Sequence, residues 1–175
     1  VLKKILTALG ILILVFVVVG ALLSREYRVT RSVVVKAEPA KIHTLVGDLK
    51  RWDEWTPWKE EDPTIVTTFG PSTTGVGASQ SWTGKDSAGR LTFTKSDPAT
   101  GVACDMVLMH GDREMPSRSW ISYAPASGGT QVEWGIEGVM DMPVVGGYFA
   151  RASDMLMGSM FEKGLDKLKA RAEGS

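Results

Sequence analysis

The sequence predicts an α+β domain in which an antiparallel run of strands is covered by one long C-terminal helix, with a single transmembrane helix in front. Three observations carry this reading. The stretch Ile5–Leu23, ILTALGILILVFVVVGALL, holds no charge, and at about 1.5 Å per residue a helix of that length crosses the hydrocarbon of a bilayer. Between residues 64 and 140, short β-prone runs alternate with turn chemistry such as GPSTTGVG, GKDSAG, SDPATG, HGDREMP and APASGGT, at the spacing of about a dozen residues expected of a meander. Beyond Pro143, Phe149, Ala152, Leu156, Met157, Met160, Phe161, Gly164, Leu165 and Leu168 follow the i, i+3, i+4 rule of an amphipathic helix.

The apolar run is assigned as an N-terminal transmembrane anchor, residues 1–24, ahead of a domain over residues 25–175. A cleaved signal peptide is the competing reading. Its apolar region is usually about 7–15 residues and closes on a small-x-small site, whereas this run is longer and ends ALLSREY. Lys3 and Lys4 flank one side and Arg25, Arg28, Arg31 and Lys36 the other, so the positive-inside rule chooses no side of the membrane for the domain.

In EYRVTRSVVVKAEP, residues Tyr27, Val29, Arg31, Val33 and Val35 alternate with Arg28, Thr30, Ser32, Val34 and Lys36, a first strand with one mostly apolar side. Pro39 suits a helix start, and Ile42, Leu45, Val46 and Leu49 recur at helical spacing until a break near Gly47 gives two short helices. The strands that follow are expected near Thr64–Phe69, Ala78–Thr83, Arg90–Lys95, Val102–Met109, Ser117–Tyr123 and Gln131–Met140.

Composition narrows the function. The 175 residues carry 20 basic and 20 acidic side chains, and without Lys3 and Lys4 the domain sets 18 basic against 20 acidic, a net of −2. That is no basic footprint for nucleic acid. The chain has no Asn, which excludes N-glycosylation. Cys104 is the only cysteine and can form no internal disulfide. No metal or other cofactor is expected: His43 and His110 have no second ligand at a recognised spacing. His43 reads as a surface helix residue, His110 as a turn residue and Cys104 as a small packed one. GVGA at 75–78 runs into a strand and not a helix, so it reads as a hairpin turn and not a phosphate cradle.

Half of the six tryptophans stand in RWDEWTPWKEEDP, residues 51–63. Trp52, Trp55 and Trp58 repeat every third position, which returns to one side of a helical or 3₁₀ turn while Asp53, Glu54, Lys59 and Glu60 stay wet. Pro57 forbids a regular helix through the middle. The ridge is either a lid over a core edge or the mouth of a ligand cavity.

The order of elements, with RSVVVKAEPAKIHTLVGDLKRWDEWTPW at 31–58, GVGASQSWTG at 75–84, GTQVEWGIEG at 129–138 and FEKGLDKLK at 161–169, resembles the SRPBCC superfamily, the START-like or helix-grip fold, and within it the polyketide cyclase/dehydrase and lipid-transport proteins. The resemblance implies a curved seven-stranded sheet gripping the C-terminal helix, often around a hydrophobic cavity. It does not by itself imply an enzyme.

On that frame the ligand-binding candidates are Trp52, Trp55 and Trp58 at the rim, with Trp82, Met106, Trp120, Trp134, Met157 and Phe161 along the wall. Val132, Trp134 and Ile136 share a strand face opposite Gln131, Glu133 and Glu137, so Trp134 is expected to point at the helix. Unbranched methionines suit a variable apolar ligand as well as an irregular core. No catalytic residue is assigned. The expected function is binding of a hydrophobic small molecule or lipid by a membrane-anchored domain. The alternatives are a cyclase/dehydrase-like enzyme in the same cavity and a non-catalytic protein-interaction domain with a solid core.

Overall fold

The computed structural model describes residues 1–85 and 87–174; Asp86, in the GKDSAG turn, lies outside them. Helix α1 (Leu2–Leu22) leads into strand β1 (Glu26–Val35), helix α2 (Pro39–Val46), a 3₁₀ turn (Leu49–Glu54) and the four-residue α3 (Trp58–Glu61). Strands β2 (Val66–Phe69), β3 (Ser79–Thr83), β4 (Ala88–Asp97), β5 (Gly101–His110), β6 (Arg113–Ala126) and β7 (Gly129–Val139) follow, and α4 (Gly146–Gly174) ends the chain. The seven strands form one antiparallel sheet in the order β1-β7-β6-β5-β4-β3-β2. A register shift between Phe93 and Lys95 adds the local bend and twist that help a sheet wrap a helix.

Strand β6 begins four residues earlier than the sequence suggests, because Pro116 lies inside it. Its ladder with β7 opens only at Ser117↔Gly138, so Pro116 has β5 alone beside it, at Val107. A missing N–H is tolerated on such an unpaired side. His110 is not a turn residue; it closes β5.

One end of the sheet is solid. Val35, Ile42, Val46, Val132, Leu165, Leu168 and Ala172 are all buried in a single cluster, and each fully buried aliphatic side chain of Val, Leu or Ile size contributes about 1.5–3 kcal/mol. Helix α4 is also tied to β1 by polar groups. The Arg31 guanidinium, on the inner face of β1, donates to Asp154 at 2.7 and 3.0 Å and to Glu162 at 2.6 Å. Both carboxylates raise its pKa further above the ordinary range, and Asp154 is lowered in turn. Gly158 makes the slot, since a Cβ there would stand 2.1 Å from the guanidinium. Lys36 donates its backbone N–H to Glu173 at 2.8 Å near the far end of the helix.

His43 departs from the surface position expected of it. It is half-buried between α2 and the sheet, with Nδ1 3.4 Å from the Tyr123 hydroxyl and Nε2 3.3 Å from Ser96 Oγ. Burial holds the imidazole below its ordinary pKa, against a smaller upward pull from Asp97. The unfolded chain therefore takes up this proton first. Stability is expected to be full above about pH 6.5, to fall as the pH drops below it, and to level off once the folded imidazole also titrates. Thermal unfolding across this range should show the slope in the native chain and lose it in His43→Gln; an unchanged slope in the variant would assign it to other groups.

Candidate ligand cavity

The tryptophan segment builds the cavity wall by local geometry. In the 3₁₀ turn, side chains three apart eclipse, so Trp52 and Trp55 both turn inward. Their N–H groups are satisfied by the carbonyls of Val46 at 2.9 Å and Leu45 at 3.3 Å, which lets a polar indole edge be buried without loss. Thr56 donates its hydroxyl to the Trp52 carbonyl at 2.8 Å, and Pro57 ends the turn. Trp58 then opens α3 in a half-buried position.

These rings form a continuous aromatic cluster. Trp52 lies 5.6 Å from Trp55 and 5.8 Å from Phe93; Trp134 lies 5.2 Å from Trp55, 5.8 Å from Trp58 and 4.3 Å from Phe161, on which it stacks within 6° of parallel. The expectation that Trp134 faces the helix is met. Gly164 of α4 makes room for it, because a Cβ there would sit 2.6 Å from the indole.

Beside this cluster is a mostly apolar cavity of about 200 Å³. Its floor is the inner face of β4 to β7, with Leu91, Met106, Leu108, Ser119 and Ile136; Met157 and Phe161 of α4 cover it. Trp52, Trp58, Trp82 and Trp134 border it, and Asp53 and Lys59, which form an ion pair, stand at its edge. Its position along the sheet follows from the register. The rungs Leu108–Gly89–Trp82–Thr67 and Met106–Leu91–Gln80 cross it, on the half of the sheet where β1 begins and β7 ends.

Seven of the nine candidates thus stand around one cavity: Trp52, Trp58, Trp82, Met106, Trp134, Met157 and Phe161. Two do not. Trp55 is completely buried behind Trp52 and Trp134, so it is core and not rim. Trp120 belongs to the outer face of the sheet, where its ring covers Gly135, its Nε1–H donates to Glu133 at 3.0 Å and Arg28 lies 4.7 Å above it. It alternates with Ser119 and Ile121, which point inward, and the period of two excludes it from the cavity. Sequence reasoning missed Ile65, Leu91 and Leu108, ordinary apolar strand and loop residues with nothing to mark them as lining; it put Ile136 on the inward face with Trp134 but did not name it as lining.

The chemistry of the lining is spare. Among the described residues no His or Cys borders the cavity, and its only carboxylate, Asp53, is exposed and paired. Cys104 is packed beneath the sheet's inner face, where burial pushes its thiol up to about 12, far from the reactive thiolate range. No group of three His, Cys, Asp or Glu that could hold a metal is gathered among the described residues.

Solved structures share this architecture. Protein CV1439 from Chromobacterium violaceum is 16% identical, with 83% of this chain and 96% of that one covered at a TM-score of 0.61. An uncharacterised protein from Rhizobium leguminosarum is 12% identical over 86% and 96%, at 0.62, and protein Ms6760 from Mycobacterium smegmatis 16% over 82% and 89%, at 0.57. At these identities the likeness is one of fold, the helix-grip fold. No curated protein matches the sequence significantly. The sequence profile of one family spans residues 26–173, nearly the whole of the chain after α1, and on that match the protein belongs to the polyketide cyclase / dehydrase and lipid transport family.

Proposed function

We propose that this is a membrane-anchored binding protein, with residues 1–24 as the anchor and residues 25–175 as a domain that holds one hydrophobic small molecule or one acyl chain without transforming it. The observation that carries the reading is the cavity itself: apolar, bordered by four indoles, and placed between sheet and helix. A domain whose only task was to present its surface to another protein has no need of that space. An enzyme needs an acid, base or activated nucleophile at the reacting atom; the described lining has no imidazole or thiol, its one carboxylate is the paired Asp53 at the edge, and the Ser119 hydroxyl on its floor donates to the Gly135 carbonyl with no base beside it among the lining residues.

Size limits the ligand. About 200 Å³ is below the roughly 300–1,000 Å³ of drug-sized sites, enough for a single ring system or the end of one chain and too small for a whole two-chain lipid. The Asp53–Lys59 pair at the edge provides a polar fringe for a head group. Helix α1 is 21 residues long and carries no charge after Lys4, and the rest of the chain covers little of it, which supports the anchor.

Native mass spectrometry of the full chain, extracted from its own membranes in a mild detergent, tests the proposal. One apolar molecule per chain, of single-chain or few-ring size, is the expected result. A chain that leaves the membrane empty, and that then takes up neither a fatty acid nor an aromatic probe, would remove the binding reading.

A further inference from the structure

Helix α4 is divided in its chemistry. Residues 142–161, MPVVGGYFARASDMLMGSMF, carry only Arg151 and Asp154, and Asp154 is turned to Arg31. Residues 162–173, EKGLDKLKARAE, carry seven charges. Within this sparsely charged half, Phe149 is 46% exposed, Met155 76% and Leu156 56%. Phe149, Ala152 and Leu156 share one helical face, and Tyr148 and Met155 flank it. Large apolar side chains gathered on one outward stripe call for a partner.

The same end of α4 is locked to α1. The Tyr148 ring stacks on Phe16 at 4.6 Å and its hydroxyl donates to the Phe16 carbonyl at 2.9 Å. Backbones meet without side chains between them: a Cβ on Gly20 would stand 2.2 Å from the Val144 carbonyl, and one on Gly147 would stand 2.4 Å from Leu23 Cβ. Val144 has φ 64°, a left-handed conformation that is costly for a β-branched residue, and it makes the turn that lays this segment against α1. Only three residues separate α1 from β1. The domain is therefore not swinging on a linker.

Depth follows from this contact. Phe16 lies six residues before Leu22, the last of α1, which at the helical rise is about 9 Å along the axis. With α1 across a bilayer, the Tyr148 ring reaches down beside its last turns, at the level where amphipathic aromatics collect.

We infer that the outward face of α4 from Tyr148 to Leu156 is seated in the headgroup–acyl boundary of the bilayer that α1 enters, as a second and interfacial membrane contact. The inference rests on α1 as an anchor. Its consequence concerns the cavity, which occupies the half of the sheet nearest α1 and is covered by Met157, the residue next to Leu156 on the same helix. One side of α4 then faces the acyl chains while the other covers the site, so an apolar ligand exchanges with the bilayer and not with water.

The test uses the full chain in phosphatidylcholine vesicles with an environment-sensitive fluorophore on single introduced thiols; Cys104 is buried and stays unlabelled. Probes at Phe149→Cys and Leu156→Cys are expected to emit to the blue and to lose most of their emission to lipids carrying a quencher high on the acyl chain. A probe at Lys167→Cys, on the charged half of the same helix, is expected to answer to aqueous iodide instead. Val15→Cys, in α1, separates the two readings. Quenching by lipid at Val15 with water-like behaviour at both 149 and 156 overturns the α4 contact and leaves the anchor standing. Water-like behaviour at Val15 as well overturns both.

Discussion

Trp134→Ala and Trp55→Ala are each expected to cost about 3–5 kcal/mol, the range for removing a large buried aromatic ring. At about 2–4 °C per kcal/mol for a domain of this size, the unfolding midpoint should fall by roughly 6–20 °C. Trp134 is 3% exposed and stacks on Phe161, and Trp55 has no exposed surface at all. Both deletions leave a void that neighbouring rings cannot fill without losing their own edge-to-face contacts. Trp58 behaves differently. It is half-buried at the cavity border and opens a helix of four residues with no buried member, so Trp58→Ala should move the midpoint by only a few degrees while weakening uptake of an apolar aromatic probe. Trp120→Ala, on the outer face, should leave uptake unchanged. Thermal unfolding and probe titration of the four variants in nanodiscs decide the matter. If Trp58→Ala unfolds as early as Trp134→Ala and binds the probe like the native chain, that indole is packing and has no part in the site.

How far the sequence could reach is clearest in these same tryptophans. The spacing of three was enough to put Trp52, Trp55 and Trp58 on one side of the chain, and strand alternation was enough to aim Trp134 at the helix. Neither rule says how deep a side chain lies. Trp55 is buried because Trp134, from β7, packs against it, a long-range fact that local periodicity does not contain. Trp120 illustrates a second limit. A bulky apolar ring in a strand is ordinarily read as inward, yet here the absent side chain of Gly135 gives it a seat outside, roofed by Arg28. The alternation of SRSWISY, with Ser119, Ile121 and Tyr123 on one side, was the signal that could have placed it. Arg31 shows the converse. An arginine in phase with Tyr27, Val29, Val33 and Val35 marks a place where something polar must reach the inner face, and only the fold supplies Asp154, Glu162 and the Gly158 slot.

Leu108→Trp should abolish binding while sparing the fold, because it fills the cavity from its floor and deletes nothing. Leu108 points inward from β5 on the rung with Gly89 and Trp82. Gly89 brings no side chain of its own, and the Trp82 ring already lies over it, so a second indole must extend into the open space. Forcing extra atoms into a packed core costs about 1–3 kcal/mol; where a void of about 200 Å³ receives them, part of that cost is offset by dispersion attraction between the new ring and the cavity wall. The expected result is a midpoint near that of the native chain, with no co-purifying molecule in the mass spectrum and no response from the probe. Val107→Trp is the control. It adds the same ring on the same strand, but the period of two turns it to the opposite face of the sheet, and binding should persist. A Leu108→Trp chain that folds and still carries its ligand would mean that the ligand lies elsewhere, and the space between the sheet and α4 would then be a packing defect of the fold.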